Sequence, residues 1–282
     1  MGIRDILVAL DSGPASRGRL QIATSLAREQ GACLSAVFLY DNRPDDLEPG
    51  LTVPRLALME VGSSAVAELT RTKADVAEQQ FRDCLEDLGG KGDWYSLDRS
   101  EASTLIALAQ ASDLVVIGQA NPDSGPIPLW CKPEEIVIKC GRPVLMVPYI
   151  GSFPRIGQRV LIGWDGSREA ARAIHDAIPV ICAARAVTLM TVHAHARELD
   201  REDVPLHRVV RHLARHQIAA RVDKTLRGGN NIADMLLSRA ADLSVDMIVV
   251  GAYHHSPLRE ALTGGVSRGL FQSMIVPVLM SH

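Results

Sequence analysis

Two aspartates and two glycines stand at matching places in this chain. Ile6-Leu7-Val8-Ala9-Leu10-Asp11-Ser12 returns as Val160-Leu161-Ile162-Gly163-Trp164-Asp165-Gly166, and Asp113-Leu114-Val115-Val116-Ile117-Gly118 returns as Asp246-Met247-Ile248-Val249-Val250-Gly251. An Asp ending an apolar run can accept hydrogen bonds from a ribose or stand near a metal on phosphates. It can equally open a turn, a common role for Asp followed by Gly166-Ser167. A strand-end Gly lets a nucleotide approach the backbone with no Cβ in the way. Gly264-Gly265-Val266-Ser267 adds a glycine pair at a helix start, where free amides and the positive end of the helix dipole attract phosphate. Ser267 supplies a hydroxyl there or caps the helix. The first copy departs at this point. Gln119 to Pro128 contains three prolines, and the last helix opens near Pro133-Glu134-Glu135. Prolines remove amide donors and the carboxylates repel anions, so this half reads as degenerate for a phosphate ligand.

The elements that would hold these residues repeat as well. Each copy closes alike, with Arg142-Pro143-Val144-Leu145-Met146-Val147-Pro148 and with Val276-Pro277-Val278-Leu279-Met280-Ser281-His282. A repeat this long is a duplicated domain rather than a solenoid unit. Short apolar runs alternate with segments of helical period, the pattern of a parallel sheet under covering helices. Strands are expected near 5–10, 33–39, 93–97, 113–118 and 143–147, and again near 159–164, 186–192, 219–224, 246–251 and 276–280. Helices are expected at 15–30, stopped by Gly31, at about 60–88 before Gly89-Gly90, at 101–111, and from Ile232 with Asn230 or Asn231 as cap. Strands this apolar are covered on both faces, which gives two tandem α/β three-layer sandwiches of Rossmann type, each with a five-stranded parallel sheet and right-handed crossovers. The domains are expected at 1–150 and 156–282, joined by a short linker at about 149–158. The ligand crevice belongs beyond the strand carboxyl ends, where strand order reverses. The insertion Asn42 to Gly50 reads as a solvated loop, with a flap over the crevice as the less favoured alternative.

Composition narrows the classes. A formal net charge of -3, 47% hydrophobic and 22% charged residues describe a globular protein, and no basic run suits a nucleic-acid partner. No apolar stretch reaches the roughly 18–20 residues of a membrane span, and the start of the chain lacks a signal-peptide pattern, so the expectation is a cytosolic protein. The five cysteines, at 33, 84, 131, 140 and 182, form no CxxC pair. They read as buried thiols, with a redox pair of Cys131 and Cys140 as the alternative. All nine histidines lie at or beyond position 175. His193, His195, His254 and His255 face one rim of the second copy, and His212 and His216 share a helix face with His207 on the same segment. Neutral imidazoles at that rim could bind Zn²⁺ or another transition metal, but no Cys or carboxylate ligand spacing joins them, and the three on one segment read as a solvated helix face, so no metal is assigned. No nucleophile and base form a motif, so no catalytic residue is assigned.

On these residues the chain resembles a tandem universal stress protein, with two domains of the adenine nucleotide alpha hydrolase-like fold. In ATP-binding members strand four ends in Gly, two residues, Gly, nine residues, then Gly and Ser or Thr. Here Gly251 and Gly264 fill the outer places, His254 replaces the middle Gly, and Gly265 replaces the hydroxyl residue. The side chain of His254 either blocks the phosphate path or supplies it with a cation. The resemblance implies a cytoplasmic stress-response protein that binds ATP, with Mg²⁺, or another adenine nucleotide at Asp165, Gly166, Val192, Gly251, His254, Gly264, Gly265, Val266 and Ser267. It also implies an intramolecular pseudo-dimer formed by the last strands, and leaves a homodimer of chains open. An inert scaffold and a metal-dependent phosphohydrolase are the alternatives.

Overall fold

The computed structural model describes residues 2–40, 62–98, 101–120, 132–198, 204–252 and 266–282. In chain order the first half holds β1 (Asp5–Leu10), α1 (Ala15–Gln30), β2 (Cys33–Leu39), α2 (Gly62–Glu86), β3 (Trp94–Leu97), α3 (Ala102–Gln110), β4 (Leu114–Gly118), α4 (Pro133–Lys139) and β5 (Val144–Val147). The second holds β6 (Arg159–Gly163), α5 (Arg168–Ile181), β7 (Ala186–His193), α6 (Val204–Arg215), β8 (Ala220–Leu226), α7 (Ile232–Asp242), β9 (Met247–Gly251), α8 (Val266–Ser273) and β10 (Val278–Ser281), with a 3₁₀ turn at Ala196–Glu198. Local chemistry sets several ends. Gly31 takes φ 63° and closes α1, a backbone that favours glycine. Ser167 and Asn231 cap α5 and α7 by accepting the amides of Ala170 and Ala233, each at 3.0 Å.

Strand alternation sends residues to two cores. Ile6, Val8, Val160, Ile162, Met247 and Val249 face one layer with α1, α2, α5 and α6, whereas Leu7, Ala9, Leu161, Ile248 and Val250 face the other with α3, α4, α7 and α8. Within each half the strands are parallel, in the order β3-β2-β1-β4-β5 and its counterpart β8-β7-β6-β9-β10. The helices change layer between the outer and inner strands, so order reverses between β1 and β4 and between β6 and β9.

The two expected five-stranded parallel sheets meet at their last strands. β5 pairs antiparallel with β10, Leu145 opposite Leu279, and joins them into one ten-stranded sheet. Both cores therefore run through both halves. The seam is reinforced by Gln119, buried after β4, whose Nε2 donates to the Phe271 carbonyl at 3.0 Å while its Oε1 accepts the Tyr149 amide at 3.4 Å. Gln30 reaches across to the Pro179 carbonyl at 2.8 Å. The linker is packed down, with Ile156 buried in a core. The expected insertion at Asn42 to Gly50 lies outside the described residues.

Candidate functional site

The carboxyl rim of the second half gathers most of the described candidate residues. Asp165 and Gly166 follow β6, Gly251 ends the neighbouring β9, and Val192 lies on β7, on the other side of β6. Val266 and Ser267 open α8, which packs on α7 so closely that a Cβ on Gly269 would lie 2.7 Å from that of Ala233. The helices α5, α7 and α8 each begin where a strand of this half has ended, so their positive termini point to the rim. His254, Gly264 and Gly265 lie outside the described residues.

Asp165 makes the turn that its sequence context allows. Its Oδ1 accepts the Ser167 amide at 2.9 Å across Gly166, whose φ of 80° favours glycine. The carboxylate is nevertheless exposed at the strand-order reversal. The two roles weighed for it in the sequence are compatible: one oxygen shapes the turn while the side chain fronts the crevice.

Gly251 has a packing role that its position alone did not suggest. A Cβ there would lie 2.4 Å from the Ala170 amide nitrogen and 2.6 Å from the Glu169 carbonyl carbon. The first turn of α5 thus rests on Gly251, and the missing side chain serves helix-on-strand packing. Glu169 is buried beside it and is ion-paired to exposed Arg168.

The first half has filled the same place. Arg19, eight residues after Asp11, stands where Ala173 stands eight after Asp165. Its guanidinium donates to Asp11 Oδ2 at 2.7 Å and covers Gly118, whose Cβ would meet Nη1 at 2.6 Å. The side chain is buried, and its Nε has no hydrogen-bond partner. Asp11 Oδ1 is spent on the Gly13 amide at 2.7 Å. To one side lies a cavity of about 290 Å³ between the start of α1 and α2, lined by Asp11, Arg17, Lys73 and Val76 among others. At α4 the first turn carries Glu134 and Glu135 with no side-chain cap. Arg19 was missed in the sequence, although a signal existed: it occupies the apolar stripe of α1 with Ile22, Ala23 and Leu26.

Other repeated or singled-out residues fall away from the rim. Asp113 and Asp246, at the opposite ends of their strands, tie β4 to β1 and β9 to β6: Asp113 accepts the Arg4 amide at 2.7 Å, and Asp246 accepts those of Gln158 and Arg159 at 3.0 Å. Cys140 is buried, its thiol donates to the Arg142 carbonyl, and burial pushes its pKa up, which disfavours the reactive thiolate. Cys131, the other member of the redox alternative, lies outside the described residues. His193 is the exception, ending β7 at the rim and sharing a hydrogen bond with Thr191, while His212 and His216 touch ring to ring. Among the described residues no three His, Cys, Asp or Glu side chains are grouped to hold a metal.

The model of the universal stress protein family matches residues 157–282. The second half is a universal stress protein domain. A universal stress protein from Archaeoglobus fulgidus is similar across 98% of this chain and 95% of its own, at 15% identity and a TM-score of 0.70. A putative universal stress protein from Pseudomonas aeruginosa covers 99% and 93%, at 18% identity and a TM-score of 0.59. At these identities the likeness establishes the fold, and it extends the universal stress architecture over the first half as well. A third structure, a universal stress protein in complex with cAMP, is 21% identical over 44% of this chain and 96% of its own, at a TM-score of 0.35. No curated protein matches the chain in sequence.

Proposed function

We propose that this chain is a cytoplasmic regulatory protein of the tandem universal stress type, in which the domain at 156–282 binds one adenine nucleotide and the domain at 1–150 serves as its packing partner. The observation that carries the reading is the contrast between the halves: Asp165 is exposed at the strand-order reversal, whereas Asp11 is held by Arg19. Asp165 would receive the ribose, and the starts of α5, α7 and α8 favour the phosphates electrostatically. No helix among the described residues is long and apolar enough to cross a membrane.

Titration calorimetry with ATP and Mg²⁺, then with AMP and cAMP, tests the proposal, and mass spectrometry of the natively purified protein identifies any ligand carried through. The expected result is one site per chain, weakened at least tenfold by Asp165→Ala. Ligand at 100 times its dissociation constant should stabilise the fold by about 2.7 kcal/mol. Absence of both binding and stabilisation would sink it. That outcome would favour a scaffold with two inert crevices, a reading supported by the use of Gly251 for packing α5.

A further inference from the structure

The second half carries two imidazoles that the nucleotide reading does not use. His212 lies in the last turn of α6, and His216 follows the helix directly, its amide donating to the Leu213 carbonyl at 2.9 Å. Four helical residues advance about 6 Å and turn about 40° past a full circle, so the two side chains share one face. The adjoining face is pinned by Leu206 and Leu213, both buried, which fixes the helix while leaving both histidines exposed. Their ring centroids are 4.9 Å apart with planes inclined at 71°. Centroids this close are within the spacing at which two imidazole nitrogens, each about 2.0–2.1 Å from an ion, can share it.

We propose that His212 and His216 chelate a divalent transition ion, Zn²⁺, Ni²⁺ or Cu²⁺, with water completing the coordination. Two histidines at i and i+4 on one helix face are a workable half of a metal site, and imidazole selects these borderline ions over Mg²⁺ or Ca²⁺. The position adds to the attraction, because the carbonyl end of α6 favours a cation. Opposing it are Arg215 and, from α5, His175, whose charges also disfavour protonated His212.

The test is calorimetric titration of the full chain with NiCl₂ at pH 7.5, comparing wild type, His216→Ala and His207→Ala. The expected result is one equivalent bound by the wild type, at least tenfold weaker binding in His216→Ala, and no change in His207→Ala. In parallel, substoichiometric Cu²⁺ should broaden the imidazole proton resonances of His212 and His216 before those of the other histidines. The proposal is overturned if the wild type binds no Ni²⁺, if His216→Ala retains its affinity, or if His207→Ala loses as much. Since His216 and His207 are both exposed, circular dichroism should show both variants folded.

Discussion

Replacing Gly251 by alanine separates the two jobs a strand-end glycine can have. If the missing Cβ serves a ligand, the apo protein should tolerate alanine and lose affinity. The geometry says otherwise. The new carbon would lie 2.4 Å from the Ala170 nitrogen and 2.9 Å from the Glu169 Cβ, against a comfortable separation of about 3.5–4.0 Å. The obstacle is backbone, held by the Ser167 cap and the Asp165 turn, so the first turn of α5 would have to withdraw by about 1 Å. Overpacking costs about 1–3 kcal/mol, and a backbone clash belongs at the upper end. A loss of about 3 kcal/mol corresponds to a fall in Tm of about 6 °C, taking the lower slope because the chain is long. Gly118→Ala is the internal control. There the clash is with the end of the Arg19 side chain, which can move aside at the expense of its bond to the partly exposed Asp11 carboxylate, so a smaller cost of about 1 kcal/mol is expected. Urea unfolding of the ligand-free protein measures both. A cost below about 0.5 kcal/mol for Gly251→Ala, or a larger cost for Gly118→Ala, would refute the packing argument.

Three further outcomes follow from the contacts. Gln119→Ala removes the hydrogen bonds to the Phe271 carbonyl and from the Tyr149 amide at the seam and should cost about 1–3 kcal/mol by the same urea assay; no loss would show that the two halves are not joined there. Ser167→Ala and Asn231→Ala each remove a helix cap and should cost about 1 kcal/mol, adding independently in the double variant because the caps serve different helices. Burial pushes the Asp246 carboxyl above the usual Asp range, against the pull of the Arg159, Gly157 and Gln158 amides. Its contribution to stability is therefore full below the unfolded-state pKa and is lost as pH rises through the folded value, so the advantage of wild type over Asp246→Asn should shrink from pH 4 to pH 7; an advantage that grows would contradict this.

The architecture was legible because its signals are local. Apolar runs marked every strand to within two residues, Gly31 marked a helix end, and Asn231 capped its helix as its type suggests. The candidate site was less legible because its decisive contacts join residues far apart in the chain. Asp11 and Asp165 look alike in sequence, yet one is held by Arg19 and the other is exposed. Gly118 and Gly251 also look alike, but one lies under a guanidinium and the other under a helix backbone. Asp113 and Asp246 repeated as faithfully as the rim residues and proved to be amide clamps at the far end of the sheet. Repetition marked what the fold needs twice, without separating scaffold from site.

The antiparallel junction of β5 and β10 bears on what happens if the polypeptide is severed near Gly151. Val144–Val147 and Val278–Ser281 are buried strands that each have the other as one of two neighbours. Separate expression of either fragment would bare a short strand with open hydrogen-bonding groups and apolar side chains on both faces. Such a fragment should self-associate, pairing that strand with its own copy, or precipitate. Mixing the two fragments should restore a heterodimer, and covalent continuity between them would then matter chiefly for choosing the right partner.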